Sequence, residues 1–138
     1  MLNQEIRKLV FARANNLCEY CCCPLSHSLD PFDVEHIIPL SKNGTNKLRN
    51  LASSCRGCNG HKYNKTHAID PMNSVLVSLY NPRTMDWKSH FTWSSDFTEI
   101  IGISPSGRAT VKALHLNRQG TMNVHRLLLL VGLHPPKA

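Results

Sequence analysis

A chain of 138 residues is long enough for one modest core, and 41% hydrophobic against 18% charged residues excludes a disordered polymer. The formal net charge of +7 and pI near 9.3 imply a polyanionic partner, nucleic acid ahead of an anionic membrane surface. The longest apolar run, Leu127–Leu130 with Val131 and Leu133 beyond, is too short to span a bilayer, and Met1–Lys8 lacks the apolar core of a signal peptide.

In chain order, Ile6, Val10, Phe11 and Ala14 fall at helical spacing and predict an amphipathic helix over 4–16 that leads into Cys18. Phe32 to Pro39 is rich in β-branched residues and predicts a strand, followed by a turn at Ser41–Asn46 around Asn43-Gly44. A second short strand is expected around Asn50-Leu51-Ala52, then a short helix from Cys58 through Lys65. Val75–Tyr80 reads as a strand ended by Asn81-Pro82. Glu99–Ser104 and Ala109–Leu116 flank Pro105-Ser106-Gly107 and predict a β-hairpin, and Met122–Leu133 a closing helix. A boundary near Asp70-Pro71 is conceivable, but the expectation is one packed domain over 1–138.

Cys18-Glu19-Tyr20-Cys21 and Cys55-Arg56-Gly57-Cys58 are two C-x-x-C knuckles. A two-residue spacer lets both thiolates turn toward one ion, and two knuckles complete a tetrahedral four-sulfur site, closed to substrate and therefore structural. With no sign of secretion, a cytoplasmic location follows, where cysteines stay reduced and favour zinc over disulfides. Cys22 or Cys23 can substitute for Cys21, but only Cys21 keeps the spacing; the other two are expected to pack or to lie exposed.

Between the knuckles stand Val34-Glu35-His36-Ile37-Ile38-Pro39, Asn43-Gly44, Asn50-Leu51, and then Cys58-Asn59 with Lys62. No acidic residue occurs between Glu35 and Asp70, whereas Lys42, Lys47, Arg49, Arg56, Lys62 and Lys65 all fall there. The stretch Cys18–Lys62 resembles the HNH endonuclease family in the form whose ββα-metal hairpin is braced by a four-cysteine zinc. The resemblance implies that Glu35 is an acidic metal ligand, His36 the general base, Asn50 the central asparagine that orients hairpin and base, and Asn59 the helix-borne metal ligand. It implies cleavage to a 5′-phosphate and a 3′-hydroxyl. The chemistry is coherent: a histidine near neutrality accepts a proton from water, and oxygen ligands suit Mg²⁺ or Mn²⁺ as Lewis acid. His61 and His67 lie nearby, and either as ligand would shift preference toward softer ions. Consecutive strand residues face opposite ways, so Glu35 and His36 serve one phosphate only across a bend or a strand edge.

Arg56 and Lys62 are the expected phosphate contacts. Beyond Lys62, Asn81-Pro82-Arg83, Trp87 with His90-Phe91, and Gly107–Val111 resemble a tail that accompanies this domain in small bacterial proteins, with no chemistry attached. Trp87, Phe91, Trp93 and Phe97 are expected in the core before base stacking, and Arg83, Arg108 and Arg118 either track a nucleic-acid backbone or pair with Asp86, Asp96 and Glu99. The expected fold is α+β: an N-terminal helix over 1–17, a zinc-braced ββα-metal core over 18–66, and a β-hairpin with a C-terminal helix over 67–138. The expected function is a metal-dependent endonuclease on nucleic acid, DNA first; the alternative is a zinc-ribbon-like module that binds nucleic acid without cutting it.

Overall fold

A computed structural model describes residues 2–137 and gives an α+β protein of five helices and three two-stranded antiparallel sheets among the described residues. They divide into two compact units, 2–66 with Asn81–Thr84, and His67–Tyr80 with 85–137. No helix among the described residues is long and apolar enough to cross a membrane.

The first unit opens with α1 (Gln4–Arg13), started by Asn3, whose side chain accepts from the Ile6 amide at 2.9 Å. Glu5 in the first turn and Arg13 in the last complement the helix dipole. Asn15 and Asn16 then take left-handed backbone, which ends the helix short of the expected residue 16. β1 (Asp33–His36) pairs with β2 (Leu51–Ser54) in the register Glu35↔Ala52 and His36↔Leu51. All four residues of β2 are buried, so it is the inner strand. The connection turns on Asn43 at φ 68° and on Gly44, where a Cβ would fall on the Ile38 carbonyl. α2 (Arg56–Lys62) begins two residues before the expected Cys58, because the Cys55 side chain caps it by accepting from Cys58 N.

In the second unit β3 (His67–Ile69) pairs with β4 (Leu76–Ser78). Asp70 closes their turn: its N donates to Val75 O, and its carboxylate accepts from Met72 N. That carboxylate is buried and takes a two-point bond from Arg108 Nε and Nη2 at 3.0 and 2.8 Å. Beyond α3 (Trp87–His90) lie β5 (Phe91–Trp93), β6 (Ile100–Gly102), α4 (Pro105–Ala113) and α5 (Gln119–Leu130).

The hairpin expected around Pro105-Ser106-Gly107 is corrected here. Its first strand exists as β6, but the partner is β5, upstream, and the residues from Pro105 form a helix. Ser104 caps that helix, accepting from Gly107 N at 2.9 Å, and Pro105 sits in the first turn, where its missing N–H costs nothing. The closing helix likewise starts earlier than Met122 and ends at Leu130.

Of the four aromatic residues expected in the core, Phe91 is buried and Trp87 and Trp93 are half-buried, whereas Phe97 is corrected: it stands exposed in the β5–β6 turn. Phe91 is buried, with ring centroids 5.1 Å from both Tyr80 and Trp87. Trp93 stands edge-on to His125 and His134, which stack at 4.4 Å. Each of these histidines faces a backbone carbonyl of the β5–β6 turn, His125 Nδ1 to Thr98 O and His134 Nε2 to Phe97 O. Burial, and then the neighbouring His125, pushes the His134 pKa below its ordinary value. A base whose folded pKa is depressed stabilises the fold fully above its unfolded value of about 6.5 and loses that stability as pH falls below it. Thermal melts followed by tryptophan fluorescence are therefore expected to fall more steeply below pH 6.5 for the parent than for His134→Phe; parallel pH profiles would refute this.

Candidate functional site

The two knuckles meet. Cys18 and Cys21 lie in a loop whose backbone is closed by Cys18 N to Cys23 O and Cys22 N to Cys18 O, with Cys22 at φ 65°. Cys55 and Cys58 come from the start of α2. All four are buried, and their sulfurs lie within 4.8 Å of one another. A zinc–sulfur distance of about 2.3 Å requires tetrahedral edges of about 3.8 Å, and Cys21 Sγ to Cys55 Sγ is 3.7 Å. The cradle fits a metal ion of the size and softness of zinc. Within the cluster, burial pushes the Cys18 thiol up, while hydrogen bonds from its neighbours push Cys55 down. Cys22 and Cys23, half-buried, close the knuckle with their backbones and stand outside the four-sulfur group, with the Cys23 thiol in hydrogen-bond contact with Cys21.

Glu19, inside the first knuckle, accepts from Ser53 N at 2.8 Å and forms an ion pair with Arg83, which fastens 81–84 to this unit. Arg83 and Arg108 thus pair with carboxylates, as one reading held, but with Glu19 and Asp70 in place of Asp86, Asp96 and Glu99. Arg118 bonds to the His115 carbonyl.

A cleft of about 260 Å³ lies beside β1, and Glu35, His36 and Asn59 all line it, with Leu40, Ser41 and Tyr63 on its rim. Among the described residues β1 pairs only with β2. A cleft reached from both faces of β1 therefore lies at its open edge, which is how neighbours on opposite faces come to share it. His36 Nε2 is 2.7 Å from Asn46 Oδ1. An amide oxygen only accepts, so Nε2 carries the proton in the neutral ring and Nδ1 is the basic nitrogen. Asn59 Nδ2 donates to Asp33 Oδ2 at 3.1 Å, which orients the amide and leaves Oδ1 as its acceptor end.

Glu35 is 4% exposed. Its Oε2 accepts from Tyr20 OH at 2.6 Å, and Oε1 faces the Lys62 ammonium. Burial pushes the Glu35 carboxyl up, and Lys62 opposes that shift. Lys62 is itself 1% exposed and donates to Ile37 O at 2.9 Å. The expectation that it touches phosphate is corrected: it is the internal counter-ion of Glu35. Arg56, with its side chain 58% exposed, keeps its charge at the surface 4.0 Å from Asp33.

Asn50 is buried and does not line the cleft. Its Oδ1 accepts from Ile38 N, and its Nδ2 donates to Ile38 O and Thr45 O, so it pins the chain just past His36. His61 and His67 are exposed and lie outside the cleft lining. Sequence reasoning missed Asn46, Asp33 and Tyr20, the partners that orient His36, Asn59 and Glu35. The oxygen set of a Glu35 carboxylate and an Asn59 amide, each with lone pairs to spare, fits a hard divalent cation.

Residues 18–65 match the family model described as HNH endonuclease. The chain is also 32% identical over 126 residues to the Septu protein PtuB of Bacillus thuringiensis. That alignment takes in 90% of this chain and 46% of the relative, so the chain spans about half the length of the curated protein it matches. No solved structure matches the chain.

Proposed function

We propose, from the membership of residues 18–65 in the HNH endonuclease family, that this protein is a metal-dependent endonuclease that hydrolyses phosphodiester bonds in nucleic acid, DNA first among the candidates. The observation that carries the reading is that Glu35, His36 and Asn59 line one cleft. Zinc on Cys18, Cys21, Cys55 and Cys58 is structural, and the reducing cytoplasm keeps these thiolates available. Glu35 and Asn59 hold Mg²⁺ or Mn²⁺, which when bound supplies Lewis acidity at the phosphate and charge for the leaving oxygen.

His36, held by Asn46, takes a proton from water on Nδ1 as the water oxygen bonds to phosphorus. The bond from phosphorus to the 3′ oxygen breaks, and that oxygen takes a proton from solvent. Asp33 keeps the Asn59 oxygen turned away from itself. Arg56 and the exposed Lys42, Lys47 and Arg49 hold the strand by its phosphates. The likeness to the Septu protein PtuB supports extending the reading to a role of that kind.

One observation favours the alternative of binding without cutting: both Glu35 oxygens already have partners, in Tyr20 and Lys62. Plasmid and single-stranded DNA incubated with Mg²⁺ or Mn²⁺ decide between the two. The parent is expected to cut, EDTA to stop it, and His36→Ala to slow it about 100-fold or more. A parent that shifts DNA in a gel yet cuts with neither ion would establish the alternative, and equal rates for parent and variant would remove His36 from the chemistry.

A further inference from the structure

Tyr63 violates two local rules at once. It follows Lys62 with φ 51° and ψ −115°, backbone that suits glycine and strains an aromatic residue. The residue is 75% exposed. The strain and the exposure bring the fold little burial in return. What Tyr63 does is line the cleft that holds Glu35, His36 and Asn59. Its amide donates to the Asn59 carbonyl at 2.9 Å, so its place is tied to a residue of the site. Leu40, 55% exposed, stands on the same rim. Strained backbone kept beside a cleft points to use of the side chain it presents.

We propose that Tyr63 is a base-stacking residue: its ring takes the face of an unpaired nucleobase next to the scissile phosphate, so the cleft favours single-stranded or bulged nucleic acid over intact duplex. The inference rests on the nuclease reading for the phosphate and on Tyr63 itself for the base. In a duplex both faces of each base are covered by neighbours, and an aromatic ring at the reacting phosphate gains a partner only where a base is unstacked. Lys42, next to Ser41 on the rim, and Lys65, two residues past Tyr63, are exposed cations suited to the backbone on either side of that base. Exposed cations account for affinity to any strand; the exposed ring adds a preference for unpaired ones.

The test uses the full zinc-loaded chain with Ca²⁺ and an oligonucleotide carrying 2-aminopurine, single-stranded or paired. Parent and Tyr63→Phe are expected to quench the single-stranded probe. Tyr63→Gly is expected to lose the quench and to weaken its Kd about 5- to 100-fold, the range of one aromatic–base stack, with duplex affinity unchanged. Its melting temperature is expected at or above the parent's, because glycine adopts this backbone without strain. Full quenching by Tyr63→Gly, a parent that prefers duplex, or a lower melting temperature for Tyr63→Gly would each overturn the proposal. Cleavage is scored separately with Mn²⁺: a parent that quenches but never cuts defeats the nuclease reading and leaves the stacking role standing.

Discussion

Removing the ion from Cys18, Cys21, Cys55 and Cys58 is expected to unfold residues 18–66. The four sulfurs join the loop after α1 to the start of α2, and they flank the β1–β2 pair from both ends of the chain segment. The apolar core available to this unit is small, with Val10, Tyr20, Phe32, Ile37, Leu51 and Ala52 as its main buried members. Apparent zinc binding of about 10 kcal/mol or more equals the whole stability of an ordinary domain, about 5–15 kcal/mol. The unit therefore has no reserve once the ion is gone. Metal analysis is expected to find one zinc per chain, and Cys58→Ser or a strong chelator to abolish amide protection over 33–36 and 51–54. Cys22→Ser and Cys23→Ser are expected to keep the zinc, since their sulfurs stand outside the cluster. Native-like protection in the zinc-free chain would contradict this account.

The zinc cradle was legible because it is written locally: two-residue spacers fix how paired thiolates point, whatever the rest of the fold does. Glu35, His36 and Asn59 were legible as a set for a similar reason, each lying beside a landmark, the strand or the last cysteine. What could not be read was the company they keep. Lys62 looks like a solvated lysine in sequence, and only the packing of α2 on β1 sets its ammonium against Glu35 and the Ile37 carbonyl. Asn46 is one of several asparagines in a loop, and its bond to His36 depends on how that loop returns. The segment that forms α4 carries an ambiguous signal. Ser104-Pro105 is both a turn and a helix start, and the capping bond to Gly107 decided for the helix. The strained backbone of Tyr63 has no sequence signature, because nothing local asks for it.

Replacing Lys62 with methionine is expected to destabilise the first unit by about 3–5 kcal/mol, the usual cost of stripping one partner from a buried ion pair. The methionine fills the space of the lysine stem, so the loss comes from the charge and its bond to Ile37 O. Glu35 then keeps its bond from Tyr20, and burial, already raising its pKa, loses its largest opponent. An acid whose folded pKa stands above its unfolded value of about 4.3 binds a proton more tightly in the fold. The penalty of Lys62→Met is accordingly smallest near pH 4 and grows as pH rises through the folded value. Denaturant titrations of parent and variant at pH 4.5 and 7.5 measure that difference, and Glu35→Gln/Lys62→Met is expected to recover most of the loss at pH 7.5. The same variant tests the ligand role of Glu35. With the ammonium gone, Mn²⁺ has the carboxylate to itself, so it is expected to raise the melting temperature of Lys62→Met more than that of the parent. An equal rise in both proteins would separate Glu35 from the catalytic cation and leave it as the buried half of a structural pair.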